Sequence, residues 1–148
     1  MRKQFRGPPE KVLAVGEQKA GLRTRFPAFD TRIDAGTLIA TGPIQPSPIS
    51  DQYTIELRYR APKDPDVRVL APPLRRWEGE PIPHMYEQDR LCLHQPCRRE
   101  WTPSDSLSLT IVPWAELWLH FYELWLISGT WHGGGEHPQE TSQARSRR

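Results

Sequence analysis

The spacing of apolar and polar positions changes twice along this chain. Residues 9 to 30, opening with PEKVLAVGEQKAGLRTRF, read as a helix that ends near Pro27, because the residue before a proline avoids helical backbone. From Thr37 the period shortens. TLIATG (37–42), QYTIELRYR (52–60) and VRVLAP (67–72) are rich in β-branched and aromatic residues, and in the second Tyr53, Ile55, Leu57 and Tyr59 alternate with Thr54, Glu56, Arg58 and Arg60. That predicts three strands, with DRLCL (89–93) expected as a fourth. The connectors PIQPSPISD and APKDPD are full of turn formers and too short for parallel crossovers, so the strands should follow one another as an antiparallel meander. The stretch APPLRRWEGEPIPH must run irregular or extended, since each proline removes a ladder donor.

The period lengthens again in LTIVPWAELWLHFYELWLISGTW (109–131). From Pro113 the polar residues Glu116, His120 and Glu123 recur at spacings of four and three, a stripe on a helix otherwise covered by Trp114, Leu117, Trp118, Phe121, Tyr122, Leu124 and Trp125. A mostly buried helix with a narrow wet face is expected. The run has a membrane span's length, but its proline and charges argue against that role, and no membrane partner is expected. The whole reads as one α+β domain, residues 9–132, with loose ends at 1–8 and 133–148, the last of which (GGGEHPQETSQARSRR) offers little to bury.

Composition narrows this further. Sixteen prolines, most of them between Pro43 and Pro103, argue against a helical bundle, and 148 residues suit one domain. Twenty basic against 18 acidic residues leave a net charge of +2, so no nucleic-acid partner is expected. MRKQFRGPPE carries charge with no apolar run behind it, so neither a signal peptide nor a lipid anchor is expected; the compartment expected is the cytoplasm, where cysteines stay free thiols.

Both cysteines, Cys92 and Cys97, lie in LCLHQPCRREW (91–101). Their spacing is half of a zinc site, which His84 and His94 complete at no familiar ligand spacing, so neither metal nor cofactor is expected. A cysteine between two leucines most often packs in a core, yet in an alternating strand Leu91 and Leu93 share one face and leave Cys92 on the other. His84, His94, Arg90, Arg98 and Arg99 give it a basic neighbourhood, which favours the thiolate. Glu116, His120 and Glu123 have the spacing of an acid–base or metal cluster as well as that of a solvated stripe. Gly133, Gly134 and Gly135 do not open a helix after a strand, so they are no phosphate loop, though a hinge fits them.

The ordered set APPL (71–74), PHMY (83–86), LCL (91–93), WTPS (101–104) and the helix from Pro113 resembles the ubiquitin-conjugating enzyme family over roughly Thr37 to Leu126. The resemblance implies that family's α+β fold: an N-terminal helix, a four-stranded antiparallel meander, an active-site loop and a long buried C-terminal helix. It puts Cys92 at the catalytic cysteine with Trp101 nine positions on; Cys97 has no counterpart. Where the family has a His-Pro-Asn tripeptide this chain has His84-Met85-Tyr86, so the asparagine thought to stabilise the oxyanion is replaced by Tyr86, whose phenol is a candidate donor. His84 and Tyr86 are thus the candidate catalytic partners of Cys92, and Trp101, Asp105 and His94 the candidate supporting residues. Asp105 suits polarising an incoming amine as well as capping a turn.

A closer resemblance is to the stand-alone conjugating-enzyme-like proteins of bacterial cyclic-oligonucleotide-based anti-phage signalling systems (CBASS). It rests on PHMY, LCL, Trp101, IVPW (111–114), WLHFYELW (118–125) and WHGGGEHP (131–138). This implies an acyl carrier and transferase: Cys92 takes the C-terminus of a cyclic GMP-AMP synthase-like nucleotidyltransferase as a thioester and passes it to an amine on a target protein. A chain of this length leaves no room for an adenylating domain, so activation is expected from elsewhere. Two other readings stay open: a non-catalytic adaptor of the same fold with Cys92 buried, and a metal-dependent hydrolase using His84, His94, Cys92 and Cys97.

Overall fold

The computed structural model describes residues 11–94 and 100–133. Helix α1 (Val15–Arg25) starts later than the sequence pattern suggests. Lys11 to Ala14 are non-helical, and the Glu17 carboxylate reaches back to accept from the Ala14 N–H at 3.3 Å, satisfying one donor of the first turn. At its other end the helix closes with the Phe26 N–H on the Leu22 carbonyl, immediately before Pro27, as expected. Only Gln18 and Leu22 of α1 are buried. Gln18 donates from Nε2 to the Asp105 carbonyl (2.8 Å) and accepts from the Leu107 N–H (2.9 Å), which clamps the loop leading into the second helix.

Four strands form one antiparallel meander: β1 (Asp30–Asp34), β2 (Thr37–Ile44), β3 (Tyr53–Tyr59) and β4 (Asp66–Ala71), in that spatial order. Two of the expectations are corrected here. The additional strand is β1, upstream of the others, joined to β2 by a two-residue hairpin in which Ala35 and Gly36 both take left-handed backbone (φ 47° and 83°). DRLCL does not join the sheet: only Arg90–Leu91 (β6) is extended, and it pairs with Met85–Tyr86 (β5) in a separate two-stranded ribbon. Arg68 Nε to the Gln88 carbonyl (3.0 Å) and Arg90 to Asp66 (3.2 Å) fasten that ribbon to β4 through side chains instead of a ladder.

The alternation in β3 is seen in the fold, with Tyr53, Ile55, Leu57 and Tyr59 buried. In β2, Gly42 is required because a Cβ there would lie 2.1 Å from the Phe29 ring.

Helix α2 (Ile111–Ser128) begins two residues before Pro113, which sits in the first turn, where the missing N–H removes no helical bond. Ala115, Trp118, Leu119, Tyr122 and Trp125 recur at helical spacing and face the sheet; Tyr122 meets Tyr53 of β3 edge-on, centroids 6.4 Å apart. The opposite face corrects the expected narrow wet stripe. His120 is exposed there, but so are Leu117, Leu124 and Ile127, the last at 82%. Glu123 is not solvated as expected either: it accepts from the Ser50 and Tyr53 hydroxyls, and that carboxylate together with burial pushes the Tyr53 phenol above its ordinary range. The helix ends at Gly129, whose left-handed φ of 73° and close approach to the Trp77 ring exclude a side chain. The expected loose ends, 1–8 and 133–148, lie outside the described residues except for Gly133.

Candidate active site

Cys92 follows β6 directly, and its position is set by the backbone opposite. Its N–H donates to the His84 carbonyl at 2.9 Å, and the same oxygen accepts the indole Nε1–H of Trp118 at 3.0 Å, so α2 reaches the cysteine through one acceptor. His84 is left-handed (φ 53°), as are Gln88 and Asp89 (60° and 57°) in the 3-10 turn that closes the ribbon. Three non-glycine residues in this backbone region within six positions mark a segment held by its surroundings more than by its own preference. Leu91 is buried in the core while Cys92 is half-buried, but the expected alternation stops there: the strand ends at Leu91, and Leu93 is half-buried and lines the same cavity as Cys92.

Cys92 lines an open cavity of about 500 Å³. Leu93, Trp114, Leu117, Trp118, Phe121 and Trp131 supply its apolar surface, with His84 and Glu100 as polar members. Trp131 ties the wall together, stacking tilted on the His84 ring (5.1 Å) and on Trp118 (5.4 Å). Gly133 presses against Trp131 and Phe121, where a Cβ would lie under 3 Å from both, so the glycine expected as a hinge serves close packing instead. Gly134 and Gly135 lie outside the described residues.

The Tyr86 hydroxyl hydrogen-bonds with the Cys92 thiol and donates to the His94 carbonyl at 3.1 Å. The thiol itself points toward that carbonyl at 4.0 Å. Burial pushes the Cys92 pKa up; the Tyr86 bond pulls it down and Glu100 adds to the rise. The balance is upward, which corrects the expected thiolate-favouring neighbourhood. Arg90 is engaged by Asp66, by the Glu87 carbonyl and over the Tyr86 ring, and Arg98 and Arg99 lie outside the described residues.

The other sequence candidates separate. His94 is buried, its Nδ1 without a hydrogen-bond partner among the described residues, and it lines a second cavity with Tyr86, Lys63, Asp64, Asp66 and Arg90. Trp101 is buried, its ring edge-on to Tyr59 at 5.4 Å and its Nε1–H on the Thr110 hydroxyl at 3.1 Å; it lines neither cavity. Asp105 takes the turn role, its carboxylate accepting from the Thr102 N–H at 2.8 Å. Cys97 lies outside the described residues, and among those described no three His, Cys, Asp or Glu side chains gather as a metal site. No helix among them is long and apolar enough to cross a membrane. Sequence reasoning missed the aromatic cavity, although Trp114, Trp118 and Phe121, four and three apart, already marked one helical face.

A helix, a four-stranded antiparallel meander, a cysteine-bearing segment and a second long helix, in that order, are compatible with a conjugating-enzyme-like α/β domain. The sequence matches the family model for type II CBASS E2 proteins over residues 18–138, and the chain belongs to that family. Membership implies a conjugating-enzyme-like role within CBASS anti-phage defence. Among curated proteins nothing matches the chain.

Proposed function

We propose that the protein is a cysteine-dependent acyl carrier and transferase, with Cys92 as the nucleophile. The observation that carries this is a half-buried thiol, fixed through its own N–H and bonded by a tyrosine hydroxyl, in the wall of a cavity large enough for a peptide segment.

In the first step Cys92 gives up its proton and attacks an activated C-terminal carbonyl of a partner protein, an acyl phosphate or thioester made by another enzyme. The new C–S bond forms as the activating group leaves with the electron pair. In the second a neutral amine of the target attacks the thioester carbonyl, the C–S bond breaks, and the thiolate leaves while the nitrogen loses a proton, giving an amide. Tyr86 is the donor in both: its single O–H, given to the His94 carbonyl at rest, turns to the attacking thiolate and then to the oxygen that becomes negative. His84 and His94 act as positioning residues, His84 through the carbonyl that holds the Cys92 N–H and His94 through the carbonyl that holds Tyr86. The partner we assign is a cyclic GMP-AMP synthase-like nucleotidyltransferase whose C-terminus becomes the acyl group. The adaptor alternative asks for a buried Cys92, and the partial exposure of the thiol in a cavity favours the transferase.

The test is to incubate the protein with that nucleotidyltransferase in activated form and resolve the products on non-reducing gels. A covalent adduct is expected that disappears in Cys92→Ala, persists in Cys97→Ala, is released by thiols in the wild type and resists them in Cys92→Ser, which makes an oxyester. No adduct with any folded variant would overturn the proposal.

A further inference from the structure

The chemistry of the cavity walls says what kind of acyl group the thiol accepts. A thioester fixes the donor's terminal carbonyl carbon on Cys92, and an extended chain advances roughly 3.3–3.6 Å per residue, so the donor's last few residues must lie beside the sulfur. Two cavities flank this segment, and Leu93 lines both. The charged one, lined by Lys63, Asp64, Asp66 and Arg90, also holds Tyr86 and His94, which contact the thiol, but does not include Cys92 itself in its wall. The cavity that does include it is walled mainly by tryptophan, phenylalanine and leucine. One of its donors is spent, the Trp118 N–H being given to the His84 carbonyl, and its one carboxylate among the described residues is that of Glu100. Its rings do not form an open cage for a cation either. Trp118 is stacked on Tyr122 at an interplanar angle of 11°, and Trp131 leans on His84, Trp118 and Phe121. Apart from His84 and Glu100 the wall is apolar surface, which rewards an apolar side chain, is indifferent to glycine and, beside the Glu100 carboxylate, penalises a negative charge.

We propose that this cavity seats the C-terminal tail of the acyl donor, and that the donor accordingly carries a bulky apolar or aromatic side chain within its last three residues. The inference rests on the transferase reading above and adds its donor specificity. At about 500 Å³ the cavity is the size of a small-ligand site, far more room than a tail of glycines fills.

The experiment uses the full chain and short peptide thioesters of mercaptoethanesulfonate, which need no activating enzyme. The peptides share one sequence and differ only in the last three residues: glycine and serine alone, phenylalanine placed at each of the three positions in turn, or aspartate in the same places. Cys92 attacks the peptide carbonyl, the C–S bond to mercaptoethanesulfonate breaks, and the departing thiolate takes up a proton; intact mass follows the acylated protein. At least one phenylalanine peptide is expected to load about tenfold faster than the glycine–serine peptide. The aspartate peptides are expected to be the slowest. Leu117 is half-exposed at the cavity, so Leu117→Asp should fold, and it is expected to bring the preference down to about twofold. Ile127→Ser, exposed and outside the cavity lining, should leave it unaltered.

Equal loading of all peptides, or a preference that Leu117→Asp leaves intact, would overturn this inference while the carrier chemistry stands. If no peptide loads although iodoacetamide alkylates Cys92, the transferase reading falls and this inference with it.

Discussion

Trp118 and Cys92 share one hydrogen-bond acceptor: the indole N–H and the peptide N–H both donate to the carbonyl of His84, at 3.0 and 2.9 Å. Cys92 is thereby tied to the buried face of α2, and His84 keeps its left-handed backbone with both donors on its oxygen. Trp118→Phe retains an aromatic ring in the core and deletes one of the two donors. A neutral hydrogen bond contributes about 1 kcal/mol net, and the lost ring volume adds to that. Urea unfolding should show a loss of about 1–3 kcal/mol. Acyl loading of Cys92 should slow even where the variant is fully folded, because the carbonyl that positions the cysteine has lost its second anchor.

The ionisation of Cys92 gives a second test. Burial raises its pKa above the ordinary value of 9.0, so the folded protein keeps the thiol protonated at neutral pH. The rate of alkylation by iodoacetamide should therefore still be climbing at pH 9, where an unperturbed cysteine is half ionised. Tyr86 acts in the opposite sense by bonding to the sulfur and favouring the thiolate. Tyr86→Phe should move the alkylation profile to higher pH; a shift to lower pH would mean that the phenol stabilises the thiol instead.

Glu123 joins α2 to the sheet by accepting from the hydroxyls of Ser50 and Tyr53. Hydrogen bonds to a charged acceptor contribute about 1.5–3 kcal/mol when partly buried. Glu123→Ala should destabilise the protein by about 2–3 kcal/mol, and Tyr53→Phe by less. Because the pair is in direct contact, a double-mutant cycle between these positions should give a coupling of about 1 kcal/mol, measured by chemical denaturation.

Gln18 is buried near the start of α1 and occupies both ends of its amide on the loop at Asp105 and Leu107. Gln18→Leu keeps the size and leaves a carbonyl and an N–H without their partner. A loss of about 2–4 kcal/mol is expected in thermal or urea unfolding, larger than that from truncating an exposed residue of the same helix such as Arg23→Ala.

Much of the architecture was readable from the chain as written. The alternation of Tyr53, Ile55, Leu57 and Tyr59 fixed the inward face of β3 because side chains in a strand alternate by geometry, and Pro27 ended α1 because a proline restricts its predecessor. β1 escaped notice because it is an edge strand whose only apolar side chain, Ile33, is itself exposed, so no burial pattern exists to read. DRLCL misled for the opposite reason: its composition suits a strand, but Gln88 just before it and Asp89 at its start are left-handed and turn the chain back on Met85–Tyr86.

Residue types and local spacing determined, without any structure, which cysteine sits between two leucines, which segments alternate, and where prolines stop them. The tertiary structure alone decided that a tyrosine hydroxyl bonds the Cys92 thiol, that burial raises its pKa, and that tryptophans from α2 and the chain beyond it wall the cavity that Cys92 lines. Those properties depend on how a helix some twenty residues downstream docks against the sheet, and local periodicity constrains only which face of a helix is apolar, not what that face meets.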